Sequence, residues 1–119
     1  MKKGIKDIRL IEPGEEESYN LAGARAGNPF IYFRGKKLVI IDHTWRPPHQ
    51  GHNIACDLAI LSGNAQISPE ELRNQIAWQY LVIDSSFPFY RAEKMVQDFK
   101  NEGMPCHSVR HEGAFVLRW

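Results

Sequence analysis

Leu38-Val39-Ile40-Ile41-Asp42-His43 is an uninterrupted aliphatic run that ends in two polar residues. An apolar run of this length, without polar alternation, is typical of a strand that is buried on both faces of a sheet. The pattern recurs twice along the chain, where Asp57–Leu61 precedes Ser62-Gly63-Asn64 and Tyr80–Ile83 precedes Asp84-Ser85-Ser86. The sequence therefore predicts three buried strands, each ending in a polar tip.

Two helices are predicted among these strands. Ser68-Pro69-Glu70-Glu71 is a strong helix start, because its serine can cap the helix, its proline suits the first helical position and its last glutamate completes a capping box. Leu72 and Ile76 then supply an inward face at i, i+4 spacing. A second helix is predicted from about Pro88 to Glu102, since its apolar residues recur at helical spacing and Gly103 can end it.

Short strands flank this central pattern. Pro29–Phe33 and Lys37–Ile41 are predicted to form a hairpin, in which Gly35 supplies the turn. Cys106–Val109 and Ala114–Leu117 are predicted to be two more strands, separated by a turn. Strands that alternate with helices imply right-handed crossovers. We therefore predict an α/β fold: a mixed, largely parallel β-sheet with about two crossover helices and flanking hairpins.

The length of 119 residues predicts a single domain, 1–119. Residues 1–29 form an N-terminal segment with the weakest pattern, although Ile5–Ile11 is compatible with a short strand. Residues 30–119 carry the pattern of strands and helices described above.

Composition excludes several classes of protein. The chain has 15 Lys and Arg and 14 Asp and Glu. This balance excludes a strongly basic domain that neutralises nucleic acid over its whole surface, but it is compatible with a local basic patch. No apolar run approaches the roughly 18 residues of a membrane helix, and no secretory signal follows Met1. We expect a soluble domain, either free-standing or excised from a larger protein. Cys56 and Cys106 are compatible with one bridge or two free thiols, and we expect free thiols.

The polar tips are the first candidate site. The carboxyl ends of parallel strands meet at one edge of a sheet, where ligands of open α/β folds bind. The candidate residues are Asp42, His43, Ser62, Asn64, Asp84, Ser85 and Ser86. A structural alternative stays open, in which each tip is only a turn or a helix cap.

A metal site is a second candidate. His43, His49 and His52 lie within ten residues, and neutral imidazoles at short spacing can bind zinc, with Asp42 as a further ligand. The spacing is not that of a zinc ribbon, so the alternative is a polar surface loop that happens to contain histidines.

A nucleic-acid contact is a third candidate. Arg34, Lys36 and Lys37 crowd the predicted hairpin beside Tyr32 and Phe33. Basic residues near aromatic rings can engage single-stranded nucleic acid. The alternative is a charged turn that protects the sheet edge from pairing with other chains.

The ordered series of segments from Phe30 onward resembles a known family. The segments that carry the resemblance are Phe33-Arg34-Gly35-Lys36-Lys37-Leu38-Val39-Ile40, Asp57-Leu58-Ala59-Ile60-Leu61-Ser62-Gly63-Asn64, Leu81-Val82-Ile83-Asp84-Ser85-Ser86 with Tyr90-Arg91, Gly103–Arg110 and Gly113–Val116. They resemble the C-terminal part of ComEC-type competence proteins, especially the divergent form of Bacteroidetes-like bacteria.

This resemblance implies a setting and a fold. ComEC-type proteins are inner-membrane proteins of natural transformation that are taken to pass single-stranded DNA into the bacterial cell. Many end in a metallo-β-lactamase-like domain thought to be a metal-dependent nuclease. By resemblance, residues 30–119 are half of such an αββα fold, and the expected partners are single-stranded DNA and the membrane channel of the parent protein.

The chain departs from the active form of that family at the ligand positions. A Gly-His-His-Gly segment of the family corresponds to Ser62-Gly63-Asn64-Ala65, and a later Gly-His-Pro corresponds to Phe87-Pro88-Phe89-Tyr90. His43, His49 and His52 do not fall on the ligand positions of the family. Two-metal hydrolysis needs several imidazole and carboxylate ligands, so the resemblance implies a non-catalytic domain without a cofactor.

Three functions thus stay open. The first is a non-catalytic domain of a DNA-uptake protein with a structural or DNA-contacting role. The second is a small stand-alone hydrolase that uses the strand tips or the histidine loop, with Asp84 or Asp42 as general base or metal ligand. The third is an oligomeric binding module, in which a homodimer covers an exposed sheet edge.

Overall fold

The fold consists of short strands and helices that follow the predicted order closely. A computed structural model describes residues 8–11, 18–20, 30–33, 35–45, 53–63, 65–113 and 115–118. The elements in chain order are β1 (Ile8–Ile11), β2 (Ser18–Asn20), β3 (Phe30–Phe33), β4 (Lys36–Ile41), β5 (Ile54–Leu61), α1 (Pro69–Gln75), β6 (Ile76–Ile83), α2 (Phe89–Asn101), β7 (His107–Ser108), α3 (Val109–Glu112) and β8 (Phe115–Arg118).

The main sheet has five strands in the order β3-β4-β5-β6-β7. β3 and β4 form the predicted antiparallel hairpin, and every other neighbouring pair in this sheet is parallel. Ile41 pairs with Leu61, and Leu61 pairs with Ile83, so the last residues of β4, β5 and β6 lie level with one another. The prediction of a mixed, largely parallel sheet is confirmed.

Both faces of this sheet are buried, as the aliphatic runs predict. On one face, Val39, Leu61 and Ile83 pack with residues of the two crossover helices, among them Leu72 and Phe99. The opposite face buries another set of aliphatic side chains: Leu38, Ile40, Leu58, Ile60 and Val82.

A second sheet of three strands has the order β2-β1-β8. β1 pairs antiparallel with β2 and parallel with β8. The ring of Phe115 at the start of β8 lies 6.4 Å from the ring of Tyr80 on β6, measured between centroids. This contact links the second sheet to the main sheet.

The first crossover helix starts as its sequence predicts. The backbone N–H of Glu71 donates to Ser68 Oγ over 3.2 Å, and the N–H of Ser68 donates to Glu71 Oε1 over 3.0 Å. The capping box is thus complete. α2 begins after Pro88 and buries the expected apolar stripe, including Met95 and Phe99.

The prediction that Ile76 belongs to the inner face of the first helix is wrong. α1 ends at Gln75, and Ile76 is the first residue of β6, where it pairs with Ile54 of β5. Both strands therefore start earlier than their aliphatic runs. Trp78 lies in this added part of β6, and aromatic residues favour strands over helices.

The predicted strand at Cys106–Val109 is also only partly right. β7 ends at Ser108, and the chain turns into the short helix α3. The Glu112 carboxylate accepts the backbone N–H of Ser108 over 3.0 Å, which stabilises this turn. β8 then pairs with β1 rather than with β7, so the last two strands do not form a hairpin.

Both cysteines are free and half-buried, as expected. Burial raises the pKa of Cys56 to about 11, an effect that Asp57 reinforces and Lys37 opposes. Burial and, to a smaller extent, the negative charge of Glu112 likewise raise the pKa of Cys106 to about 11.

Within the described residues, no helix is both long enough and apolar enough to cross a membrane.

Candidate functional site

The three polar tips lie side by side at the carboxyl edge of the main sheet. The N–H of Ser62 donates to the carbonyl of Ile41 over 2.9 Å, and the N–H of Asp84 donates to the carbonyl of Leu61 over 3.0 Å. These bonds extend the parallel ladder by one residue beyond each strand. The structure thus brings together Asp42, Ser62 and Asp84 on three neighbouring strands.

The tip of β6 is joined to the tip of β5 by hydrogen bonds of Ser86. Asp84 is fully buried, and its Oδ1 accepts the backbone N–H of Ser86 over 3.0 Å together with the Ser86 hydroxyl. The same Ser86 Oγ accepts the N–H of Gly63 over 2.8 Å. One serine therefore supports a buried carboxylate and ties β6 to β5.

The tip of β4 repeats this arrangement. Asp42 is buried, and its Oδ1 accepts the N–H and the hydroxyl of Thr44 over 2.8 and 2.6 Å. The exposed His43 places Nδ1 at 3.3 Å from the Gly63 carbonyl. Gly63 is thus held through both its N–H and its carbonyl, once by each neighbouring tip.

The other predicted tip residues differ in their surroundings. Ser62 is fully buried, and its Oγ has no hydrogen-bond partner in the part of the chain that the structure describes. Ser85 is half-buried and does not cap α2, which starts without a side-chain cap. Asn64 lies outside the described residues.

A cavity of about 370 Å³ opens beside the tip of β4. It is lined by Ile41, Asp42, His43, Trp45, Ala65, Gln66, Ile67, Glu71 and Gln75. The indole Nε1 of Trp45 donates to Gln75 Oε1 over 2.8 Å across this region. Sequence reasoning missed Trp45, Gln66 and Gln75 as site residues, because contacts between distant parts of the chain, such as the Trp45–Gln75 hydrogen bond, bring them to the cavity.

The histidine hypothesis is tested only in part. His43 lies at the carboxyl edge, whereas His49 and His52 lie outside the described residues. Among the residues that are described, no group of three or more His, Cys, Asp or Glu side chains is arranged to hold a metal ion.

The basic hairpin combines charge with aromatic rings. Lys37 Nζ lies 5.1 Å from the ring centre of Phe30 and 5.9 Å from that of Tyr32, within the range of cation–π attraction. The backbone N–H of Lys37 also donates to Asp57 Oδ2 over 2.8 Å. Tyr32 is 71% exposed, which leaves an aromatic side chain beside Lys37. Arg34 lies outside the described residues.

A largely parallel sheet with level strand ends defines the chain as an α/β domain whose polar residues converge at one edge. The chain belongs to the ComEC C-terminal domain family, which matches residues 5–119. The ComEC family comprises membrane-associated competence proteins, and the match indicates a protein of competence and DNA uptake. No curated protein and no solved structure shows a significant match to the chain.

Proposed function

We propose that the chain is a non-catalytic, metallo-β-lactamase-like half-domain that contacts the DNA strand handled by its parent protein. The family supports the DNA-uptake setting. In this proposal the domain packs against the membrane channel of the parent protein in the bacterial inner membrane and guides a single strand. The carboxyl edge then has a structural role.

The hydrogen bonds of the strand tips are the observation that carries the proposal. Asp84 Oδ1 and Ser86 bond to each other, and Asp42 Oδ1 is bonded by Thr44 in the same way. A hydrolytic metal centre uses carboxylates and imidazoles that converge on the metal. The sequence also has Ser62-Gly63-Asn64-Ala65 where the active form of the family carries a pair of histidines.

A cleavage assay tests the non-catalytic role. Purified protein is incubated with single-stranded and duplex DNA in the presence of manganese or zinc, and we expect no cleavage above the rate without protein. Metal-dependent cleavage that is abolished by Asp84→Asn or Asp42→Asn, but not by the control Asp98→Asn on the exposed face of α2, would overturn the proposal.

The basic hairpin is the proposed DNA contact. Lys36 and Lys37 supply positive charge to phosphates, and the exposed ring of Tyr32 supplies a face on which a base can stack. Contacts of this kind make binding salt-sensitive and tolerant of sequence. We expect weak affinity, because the net charge of the chain is only +1.

The cavity beside β4 supports a second candidate function, a small hydrolase. It places the buried carboxylate of Asp42 and the exposed imidazole of His43 around one space of about 370 Å³. Asp42 would then be the general base. Cleavage that depends on Asp42 and not on Asp84 would favour this function.

The homodimer stays a prediction. In such a dimer, β3 at the edge of the main sheet would contact the second copy of the chain.

A further inference from the structure

Two large aromatic side chains are exposed where α2 begins. Phe89 is 54% exposed and Tyr90 is 74% exposed, although the preceding Phe87 is fully buried. Exposed aromatic residues that lie next to each other are typical of surfaces that bind a partner. They lie beyond the tip of β6, on the carboxyl edge of the sheet.

The short helix α3 completes this surface. The ring of His111 lies on the ring of Phe89, with 4.1 Å between centroids and 39° between planes. Ser108 Oγ lies 2.8 Å from His111 Nδ1 and fixes the orientation of the imidazole. Phe89 and His111 therefore form a tilted ring pair that is already in place before a partner binds.

Two arginines contact Phe87, the buried residue that lies two positions before Phe89. Arg110 Nε donates to the Phe87 carbonyl over 2.8 Å, which anchors the side chain. Within the described residues Arg110 forms no ion pair, so its terminal N–H groups are available to an anion. The guanidinium of Arg91 lies 5.5 Å from the ring centre of Phe87.

Glu112, the acidic residue of α3, contacts Ser108 and His107. Glu112 Oε2 accepts the backbone N–H of Ser108, and its Oε1 lies 3.8 Å from His107 Nδ1. The combined surface of Phe89, Tyr90, Arg110 and His111, hereafter the aromatic edge surface, thus carries three rings and one arginine.

We propose that the aromatic edge surface stacks unpaired bases of single-stranded DNA, while Arg110 contacts a phosphate. Every base has a flat face, so aromatic stacking is tolerant of sequence, and an anchored arginine suits a phosphate. Bases inside a duplex already stack on both sides, so the surface discriminates against duplex DNA. The inference deepens the proposed function and rests on it for the identity of the partner.

The test measures binding of a fluorescently labelled thymidine oligonucleotide, and of a duplex of equal length, by anisotropy. We expect Tyr90→Ala to weaken single-strand binding about 5- to 150-fold, the range for losing one stacked base. Tyr90→Phe keeps the ring and should bind like the wild type. Lys100→Ala, which removes an exposed cation from the last turn of α2, is the matched control for Arg110→Ala and should have the smaller effect.

A second readout detects stacking itself. A strand that carries 2-aminopurine, a base whose fluorescence falls on stacking, should be quenched by the wild type and by Tyr90→Phe but much less by Phe89→Ala with Tyr90→Ala. Circular dichroism checks that these exposed substitutions leave the fold intact.

The possible failures are distinguishable. If Tyr90→Ala binds as tightly as the wild type while charge reversal of Lys36 and Lys37 still weakens binding, the aromatic edge surface is not the contact and the proposed function stands. Equal affinity for duplex and single strand would also overturn the inference. If the wild type binds no DNA, both proposals fail.

Discussion

Gly63 donates its backbone N–H to Ser86 Oγ over 2.8 Å, so the tip of β5 is tied to the tip of β6. The Ser86 hydroxyl in turn donates to Oδ1 of the fully buried Asp84. A single side chain thus accepts one hydrogen bond and donates another at the edge where ligands of α/β domains usually bind. This double use favours a structural role for the tip.

Replacing Ser86 with alanine should therefore destabilise the domain. Ser86→Ala removes the acceptor of the Gly63 N–H and a donor to the buried Asp84, and losing such a bond costs about 1–3 kcal/mol. Urea unfolding followed by circular dichroism measures the change in the free energy of unfolding.

Ser62→Ala is the matched control for this prediction. Ser62 is also fully buried, but its hydroxyl has no partner among the described residues. Removing an unsatisfied buried hydroxyl should leave stability unchanged or raise it slightly. Equal loss of stability in both variants would contradict the assignment of Ser86 as the link between the tips.

Charge reversal at the hairpin should weaken single-strand binding. The triple variant Arg34→Glu, Lys36→Glu and Lys37→Glu removes three cations, which should reduce the slope of log affinity against log salt by about 2. Anisotropy titrations at several salt concentrations measure the slope. The control is Lys100→Glu in the last turn of α2, which changes charge away from the hairpin. If the triple variant binds single-stranded DNA with unchanged affinity and unchanged salt dependence, the hairpin is excluded as the contact.

The capping box of α1 gives a third prediction. Ser68→Ala removes the oxygen that accepts the Glu71 N–H, and losing an N-cap of this kind destabilises a protein by about 1 kcal/mol. Ser68→Asp retains an acceptor at the cap and should stay close to the wild type. The urea midpoints of the two variants make the comparison, and identical midpoints would show that the cap adds nothing to stability.

The buried thiols predict a loss of stability in alkali. Burial raises the pKa of Cys56 and of Cys106 from 9.0 to about 11 in the folded protein. Between these pH values the unfolded chain releases the thiol protons more readily than the folded chain, so ionisation favours unfolding. The stabilising contribution is complete below pH 9.0 and is lost as the pH rises towards about 11.

The double variant Cys56→Ala with Cys106→Ala isolates this effect from lysine and tyrosine titration. The difference in the free energy of unfolding between wild type and variant should shift against the wild type as the pH rises through that window. A difference that is independent of pH would contradict the raised pKa values.

The sequence predicts the main sheet well because each buried strand is an aliphatic run with a polar end. The start of α1 is equally predictable, since Ser68 and Glu71 bond to each other within one helical turn. The start of β6 cannot be predicted in this way, because Ile76 pairs with Ile54 on β5, which is distant in the sequence. The helical turn at α3 likewise depends on how Glu112 folds back on Ser108.

The candidate site also combines features that the local sequence predicts with features that depend on distant residues. That Asp42, Ser62 and Asp84 lie at one edge follows from the parallel order of their strands. The hydrogen-bond partners of these groups cannot be predicted from the sequence. The Ser86–Gly63 and His43–Gly63 contacts join residues about 20 positions apart, on the tips of neighbouring strands. Trp45 and Gln75 reach the cavity through tertiary packing alone.

Elemental analysis of purified, untagged protein by inductively coupled plasma mass spectrometry tests the non-catalytic role most directly. Because Oδ1 of each tip carboxylate already accepts a hydroxyl and a backbone N–H, the edge should retain far less than one zinc or manganese ion per chain. Near-stoichiometric zinc or manganese that is lost in Asp42→Asn or Asp84→Asn would contradict the structural role of the carboxyl edge.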